Sequence, residues 1–349
     1  MKIAFYLADT WDWRGEDLEG RGLGGTEAAL VFLARELARH HRVTVYNGTR
    51  RPGRHAGVTY LPVGLLERGG PWDAFVSLSY TPGIRELPAR VKVHWSLEDD
   101  QVRVKSYRDY LPHLDGIFAL SPFHAELLSR RFAIPPGKLH TGFLGVSPAE
   151  YAAPARKVPG RLIYCSVPDR GAEHLAPIFG MIREAYPTAS LVVTGDFRLW
   201  GRADPGDAPY RATLAGVPGV RYLGKLPRRE LVRLQRESVV HLYPCLVQEL
   251  FCLASLECQA AGAPTVAPRI GALATTVADG VTGILLERSP HADPEGHRAF
   301  AEAVLALLRD PQRLQAMGEA AHCRALSGFS WEAVAGDWTA KLAAWSEGR

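Results

Sequence analysis

Short apolar runs alternate with amphipathic stretches along the whole chain. Residues 2–8, 42–46, 58–62, 72–78, 90–95 and 115–121 read as strands, and so do 139–146, 161–167, 190–194, 220–223, 239–243 and the start of 263–267. Between them apolar residues recur at helical spacing. One such helix carries Leu30, Val31, Leu33, Ala34, Leu37 and Ala38. Others span 173–185, 231–237, 300–308, 311–323 (with Leu314 and Met317 inward) and 330–345. Ser121 before Pro122 predicts a helix start, a capping hydroxyl followed by proline at the first position. Strands alternating with helices imply a mainly parallel α/β sheet with helices on both faces. The alternation runs twice, and 148–160, rich in Pro, Ala and charge, reads as the linker between two domains.

Composition agrees with this picture. At 349 residues the chain is too long for one ordinary core. Its 47% hydrophobic and 22% charged content is that of a soluble globular enzyme, and the formal charge of +4 is mild. The small basic clusters (Arg50, Arg51 and Arg54; Arg103, Lys105 and Arg108) are not interleaved with aromatics, so nucleic acid is not expected as a partner. Met1-Lys2 leads straight into a strand, without the apolar region of a signal peptide, and no run approaches a membrane span. The expected location is cytoplasmic, with peripheral membrane contact left open. Five cysteines, none in C-x-x-C spacing, read as small core residues in a reducing compartment and suggest no metal site.

Candidate chemistry concentrates in three places. After the first strand, Gly24-Gly25 precedes a helix, an arrangement that lets backbone approach an anion. His94 lies at the end of a strand, Asp9 and Glu98 lie just past two strand ends, and ligands of open α/β sheets bind beyond strand C-termini. The third place is 239–267. There a strand ends at Pro244-Cys245, a loop carries Gln248 and Glu249, and a helix with Leu253, Leu256 and Ala260 inward closes at Gly262. Glu249 stands before the helix N-terminus, where free N–H groups favour an anion such as a diphosphate. Glu257 lies ~12 Å further on at 1.5 Å per residue, a span a nucleotide sugar could bridge. Both acids sit in apolar surroundings, where an unpartnered carboxylate is costly, and this favours a functional role for the pair.

This third stretch resembles the signature of the retaining GT-B glycosyltransferases of family 4 (glycosyl transferase group 1). Pro244, Glu249, Phe251, Leu253, Glu257, Gly262 and Pro264 fall in step with the family pattern, whereas Leu250 and Cys252 stand where it has glycines. The resemblance implies GT-B architecture, two Rossmann-like domains facing across a cleft. The N-terminal, acceptor-side domain would be 1–150 joined by the terminal helix 330–349, and the C-terminal donor domain 156–329. It implies that Gly24 and Gly25 face the donor diphosphate and acceptor, that His94 contacts the donor sugar, and that Arg170, in Arg-Gly where the family has Lys-Gly, binds the diphosphate. Glu249 would contact the sugar and Glu257 the ribose hydroxyls, and the amides of Phe251, Cys252 and Leu253 would meet the distal phosphate. The family's second diphosphate arginine falls on Cys165, with Lys225 as the candidate replacement. Gly271-Ala272-Leu273 resembles a further family loop, but Thr275 occupies its glutamate position.

The expected function is metal-independent, retaining transfer of a sugar from a nucleotide-diphosphate sugar to a glycan, lipid or small-molecule acceptor, with no cofactor. Two alternatives share the architecture: a nucleotide-sugar epimerase, and a catalytically impaired nucleotide-sugar-binding protein. A NAD dehydrogenase is disfavoured, since no G-x-G-x-x-G follows the first strand. Base, sugar, acceptor and oligomeric state are not readable from the sequence.

Overall fold

The computed structural model describes residues 1–8, 11–97, 107–152, 156–287 and 293–347. Asp9, Glu98, Arg103 and Lys105 therefore lie outside the described residues. The chain forms two compact units. The first comprises Met1–Leu18, Thr26–Leu144 and Trp331–Arg349, and the second Glu19–Gly25 and Gly145–Ser330.

The first unit holds strands β1 (Lys2–Tyr6), β2 (Arg42–Asn47), β3 (Gly53–His55), β4 (Val58–Pro62), β5 (Trp72–Ser77), β6 (Ala89–Trp95), β7 (Gly116–Ala119) and β8 (Leu139–Thr141). They form one sheet in the order β3-β4-β2-β1-β5-β6-β7-β8. All pairings are parallel except β3 with β4. The predicted strands are all present. The hairpin strand β3 is an addition whose three residues are too short and polar to show an apolar period. The apolar strands are continuous because helices cover both faces. The helix Trp331–Glu347 is one such cover: Trp338 stacks on Phe118 at 3.6 Å between centroids and meets Trp95 edge-on at 4.9 Å. The polar, glycine-rich stretch between β1 and Gly24 contains a short helix at Asp17–Gly20. Arg51 holds it, its guanidinium 2.7 Å from Asp17 and 3.2 Å from Asp12. That pairing gives one of the basic clusters a structural role.

The second unit holds β9 (Arg161–Cys165), β10 (Ser190–Thr194), β11 (Val220–Gly224), β12 (Val240–Leu242), β13 (Thr265–Pro268) and β14 (Gly283–Leu286). Their order is β11-β10-β9-β12-β13-β14, all parallel. The sheet grows outward from β9 in one direction and then, from β12, in the other. This reversal of strand order leaves a crevice beyond the C-terminal ends of β9 and β12. The core between sheet and helices includes Leu162, Tyr164, Ile178, Phe179, Val240, Leu242, Phe300 and Val304.

The boundary differs from the expected linker. The chain enters the second unit at Gly145, and Pro148–Tyr151 is a helix of that unit. Glu150 and Tyr151 are fastened there by Arg228 and Gln235. Composition alone could not disclose those partners. Among the described residues no helix is long and apolar enough to cross a membrane.

Candidate active site

The β9/β12 reversal brings Arg170, Glu249 and the loop that leads to Phe251, Cys252 and Leu253 into one neighbourhood. The turn after β9 carries Asp169, Arg170 and Gly171, and the loop after β12 carries Pro244 to Cys252. The two loops touch. Gly171 has φ +96°, and a Cβ there would lie 2.2 Å from the Pro244 carbonyl oxygen, so only glycine fits. This contact sets Arg170 beside Glu249, with Nε 4.0 Å from Oε1.

Glu249 is nearly buried, and its main chain and side chain are both held. Its carbonyl accepts the Ala272 N–H at 2.7 Å. Gly271, at φ +56°, packs so closely that a Cβ would come within 2.2 Å of that same oxygen. On the side chain, the Tyr243 hydroxyl donates to Oε1 at 2.5 Å, and the Cys245 thiol lies 3.8 Å from the same atom. Burial raises the Glu249 pKa, while the Tyr243 hydrogen bond and the Arg170 charge act against that rise. The neighbouring Cys245 thiol is pushed up to about 12 by burial and by Glu249, so it is a neutral donor.

The loop ends at Cys252, which takes the left-handed conformation (φ 72°) before the helix Leu253–Ala260. A glycine would adopt this backbone freely, whereas a side chain strains it. Phe251 turns inward, its ring edge-on to Phe329 at 5.9 Å, so its contribution to a ligand would be its amide.

Glu257, on that helix, corrects the reasoning applied to the carboxylate pair. Its apolar surroundings do not leave it waiting for a ligand. Arg228 Nη1 donates to Oε1 at 2.6 Å and Gln235 Nε2 to Oε2 at 3.2 Å. Arg228 is itself buried and reaches Glu150 through Nε at 2.9 Å and Nη2 at 2.7 Å. Burial raises the Glu257 pKa and Arg228 opposes it. Sequence reasoning missed Arg228 because nothing in an exposed-looking Arg-Arg-Glu marks its first residue as buried. It missed Tyr243 because a tyrosine in an apolar strand reads as core.

The other expected residues fall elsewhere. Lys225, half-buried after β11, donates its backbone N–H to Asp196 at 2.7 Å and its ammonium to the Arg198 carbonyl at 3.2 Å. Cys165, standing where the family has arginine, is buried. Gly25 opens the helix Gly25–Leu37, and Gly24 is buried just before it. His94 belongs to the first unit, at the end of β6. It is buried, with Nδ1 3.0 Å from the Ser77 hydroxyl and the rings of Tyr107 and Tyr110 edge-on to it. Burial lowers its pKa to about 3, so it is a neutral imidazole.

Two Rossmann-like units with this strand order define the class as the GT-B fold of the glycosyltransferases. Solved structures agree. The sucrose-phosphate synthase from Thermosynechococcus elongatus matches with a TM-score of 0.74 at 18% identity, over 99% of each chain. HepE from Anabaena, solved in complex with UDP-glucose, matches with a TM-score of 0.73 at 16% identity, over 99% of this chain and all of that one (100%). Residues 159–310 match the family "Glycosyl transferases group 1", and this matched segment contains the signature stretch 239–267. A D-inositol 3-phosphate glycosyltransferase from Kribbella flavida is 30% identical over 271 residues, which is 71% of this chain and 61% of that protein. One from Thermobifida fusca is 29% identical over 273 residues, 70% and 60% of the two lengths. The chain thus spans 61% and 60% of the length of these curated relatives.

Proposed function

We propose that this protein transfers a sugar from a nucleotide-diphosphate sugar to an acceptor hydroxyl with retention of configuration and without a metal. The observation that carries the reading is the meeting of Arg170 and Glu249 at the strand-order reversal of the second sheet, beside the helix that follows Cys252. A leaving diphosphate needs positive charge, and Arg170 offers a planar, permanently charged donor set together with the first amides of that helix. The anomeric carbon gains positive charge as the bond to the diphosphate breaks. Glu249, fixed by Tyr243 and by the Ala272 amide, can stabilise that charge without moving. Glu257 keeps the ribose-side assignment in this reading through the lone pairs that its Arg228 and Gln235 donors leave free. His94 is assigned to the sugar as a neutral hydrogen-bonding group, and Gly24 and Gly25 to the backbone approach to the phosphates.

Uridine nucleotide sugars are the first donors to test, since HepE is solved with UDP-glucose. Inositol phosphate is a first acceptor, after the named activity of the relatives. The decisive experiment measures sugar transfer and donor hydrolysis across a donor panel for the wild type and for Glu249→Ala. Loss of both, with an unchanged circular dichroism spectrum, is expected. Undiminished turnover by the folded variant would refute the assignment, and conversion of donor alone into a sugar isomer would point to an epimerase.

A further inference from the structure

The cysteines are scattered in sequence, yet three elements of the second unit bring two of them to one histidine. Cys165 ends β9, His241 lies in β12, and Cys258 sits on the helix Leu253–Ala260. All three are buried. Cys165 Sγ is 3.4 Å from Cys258 Sγ and 3.9 Å from His241 Nε2. The three ligand atoms all lie within 4.8 Å of one another. A tetrahedral cation with metal–sulfur bonds of about 2.3 Å and metal–nitrogen bonds of about 2.05 Å requires edges of about 3.8 Å between sulfurs and about 3.6 Å from sulfur to nitrogen. The two edges that meet at Cys165 Sγ agree with these to within about 0.4 Å, and the third, from Cys258 Sγ to His241 Nε2, is no longer than 4.8 Å.

The surroundings fit the same chemistry. His241 Nδ1 lies 3.2 Å from Thr265 Oγ1, which in turn lies 2.9 Å from Ser255 Oγ. The tautomer that donates from Nδ1 to Thr265 leaves the Nε2 lone pair facing the sulfurs, the way metal-bound histidines are usually oriented. Gln235 Nε2 lies 3.8 Å from Cys165 Sγ and presents an N–H suited to a thiolate. Two thiolates and an imidazole are soft to borderline ligands; their two negative charges would cancel zinc in this core, and with copper(I) would leave one negative charge facing the Gln235 amide.

We propose that Cys165, His241 and Cys258 form a structural site for a thiophilic d10 cation, zinc or copper(I). Loading exchanges the two thiol protons for the metal. The site ties β9, β12 and the helix Leu253–Ala260 together directly beneath the crevice. Arg170 follows Cys165 by one turn of chain, and Glu257 adjoins Cys258, so the same clamp that stabilises the unit also holds two donor-side residues.

The test uses the full chain, with any affinity tag removed and no chelator present. Elemental analysis of the purified wild type is expected to find about one zinc or copper per chain. Zinc and copper are distinguished in the same measurement. Cys258→Ser and His241→Ala are expected to lose the metal and to melt at lower temperature. As a check that needs no variant, wild type unfolded with a chelator and refolded with Co2+ is expected to show thiolate-to-cobalt charge-transfer absorption. Wild type with neither metal, together with no charge-transfer band and no change in melting temperature after refolding with Zn2+ or Co2+, would overturn the proposal and leave a packed thiol pair.

Discussion

Replacing Arg228 by methionine is the sharpest test of how the donor-side helix is held. The guanidinium side chain is 7% exposed and sits between Glu257, also 7% exposed, and Glu150, 23% exposed. Methionine fills a similar volume, so the main loss is charge and hydrogen bonds rather than packing. Removing one partner of a buried ion pair typically costs about 3–5 kcal/mol, because the opposite charge is left uncompensated. For a unit of this size each kcal/mol moves the melting temperature by about 2–4 °C, so a fall of roughly 6–20 °C is expected. The loss should depend on pH. Arg228 lowers the Glu257 pKa against burial. Without it, the folded-state pKa rises further above the unfolded value, so the variant's native state binds a proton that the unfolded chain releases. Its stability is then lost as pH rises through that raised value, and the deficit relative to wild type should be larger near about pH 8 than near about pH 5. Urea unfolding at both pH values measures this. The triple variant Arg228→Met, Glu257→Gln, Glu150→Gln should recover most of the loss, since no charge is left buried alone. A single-variant deficit below about 1 kcal/mol at the higher pH, the size of a surface pair, would refute the reasoning.

Three further outcomes follow from the geometry. Glu249→Gln keeps an acceptor for Tyr243 but removes a carboxylate whose pKa burial raises, so the melting temperature at neutral pH should hold or rise while sugar transfer is lost; a lower melting temperature would show that the ionised carboxylate stabilises the fold. His94, with a pKa lowered to about 3, should show no ring protonation by NMR between about pH 8 and pH 5; because its folded pKa lies below the unfolded value, it adds a stability loss as pH falls below about 6.5. Gly171→Ala should destabilise the chain by more than about 1 kcal/mol, since both the positive φ and the Pro244 carbonyl oppose a side chain, and chemical denaturation with an unchanged midpoint would contradict the loop contact described above.

The parallel α/β class and the doubled alternation were legible in the sequence because strand and helix spacing is a local property. Every strand predicted from an apolar run exists, and Ser121 caps its helix by accepting the His124 N–H at 3.0 Å. The positions of Glu249 and Arg170 could also be placed, since each lies one short loop after a strand and inherits its location from that strand. What 349 residues in a row could not disclose was the identity of long-range partners. Glu257 in an apolar run looked like a carboxylate kept for a ligand, yet Arg228 and Gln235 occupy it from another helix. The stretch 148–160 looked like a linker, yet Glu150 closes the far side of the same arginine. Cysteines without metal-ligand spacing converge with His241 because parallel strands and their crossover helix bring distant residues side by side. Local periodicity decides which face of an element is apolar. Only packing the elements decides which polar group on one meets which on another, and in this protein those meetings hold the candidate site in place.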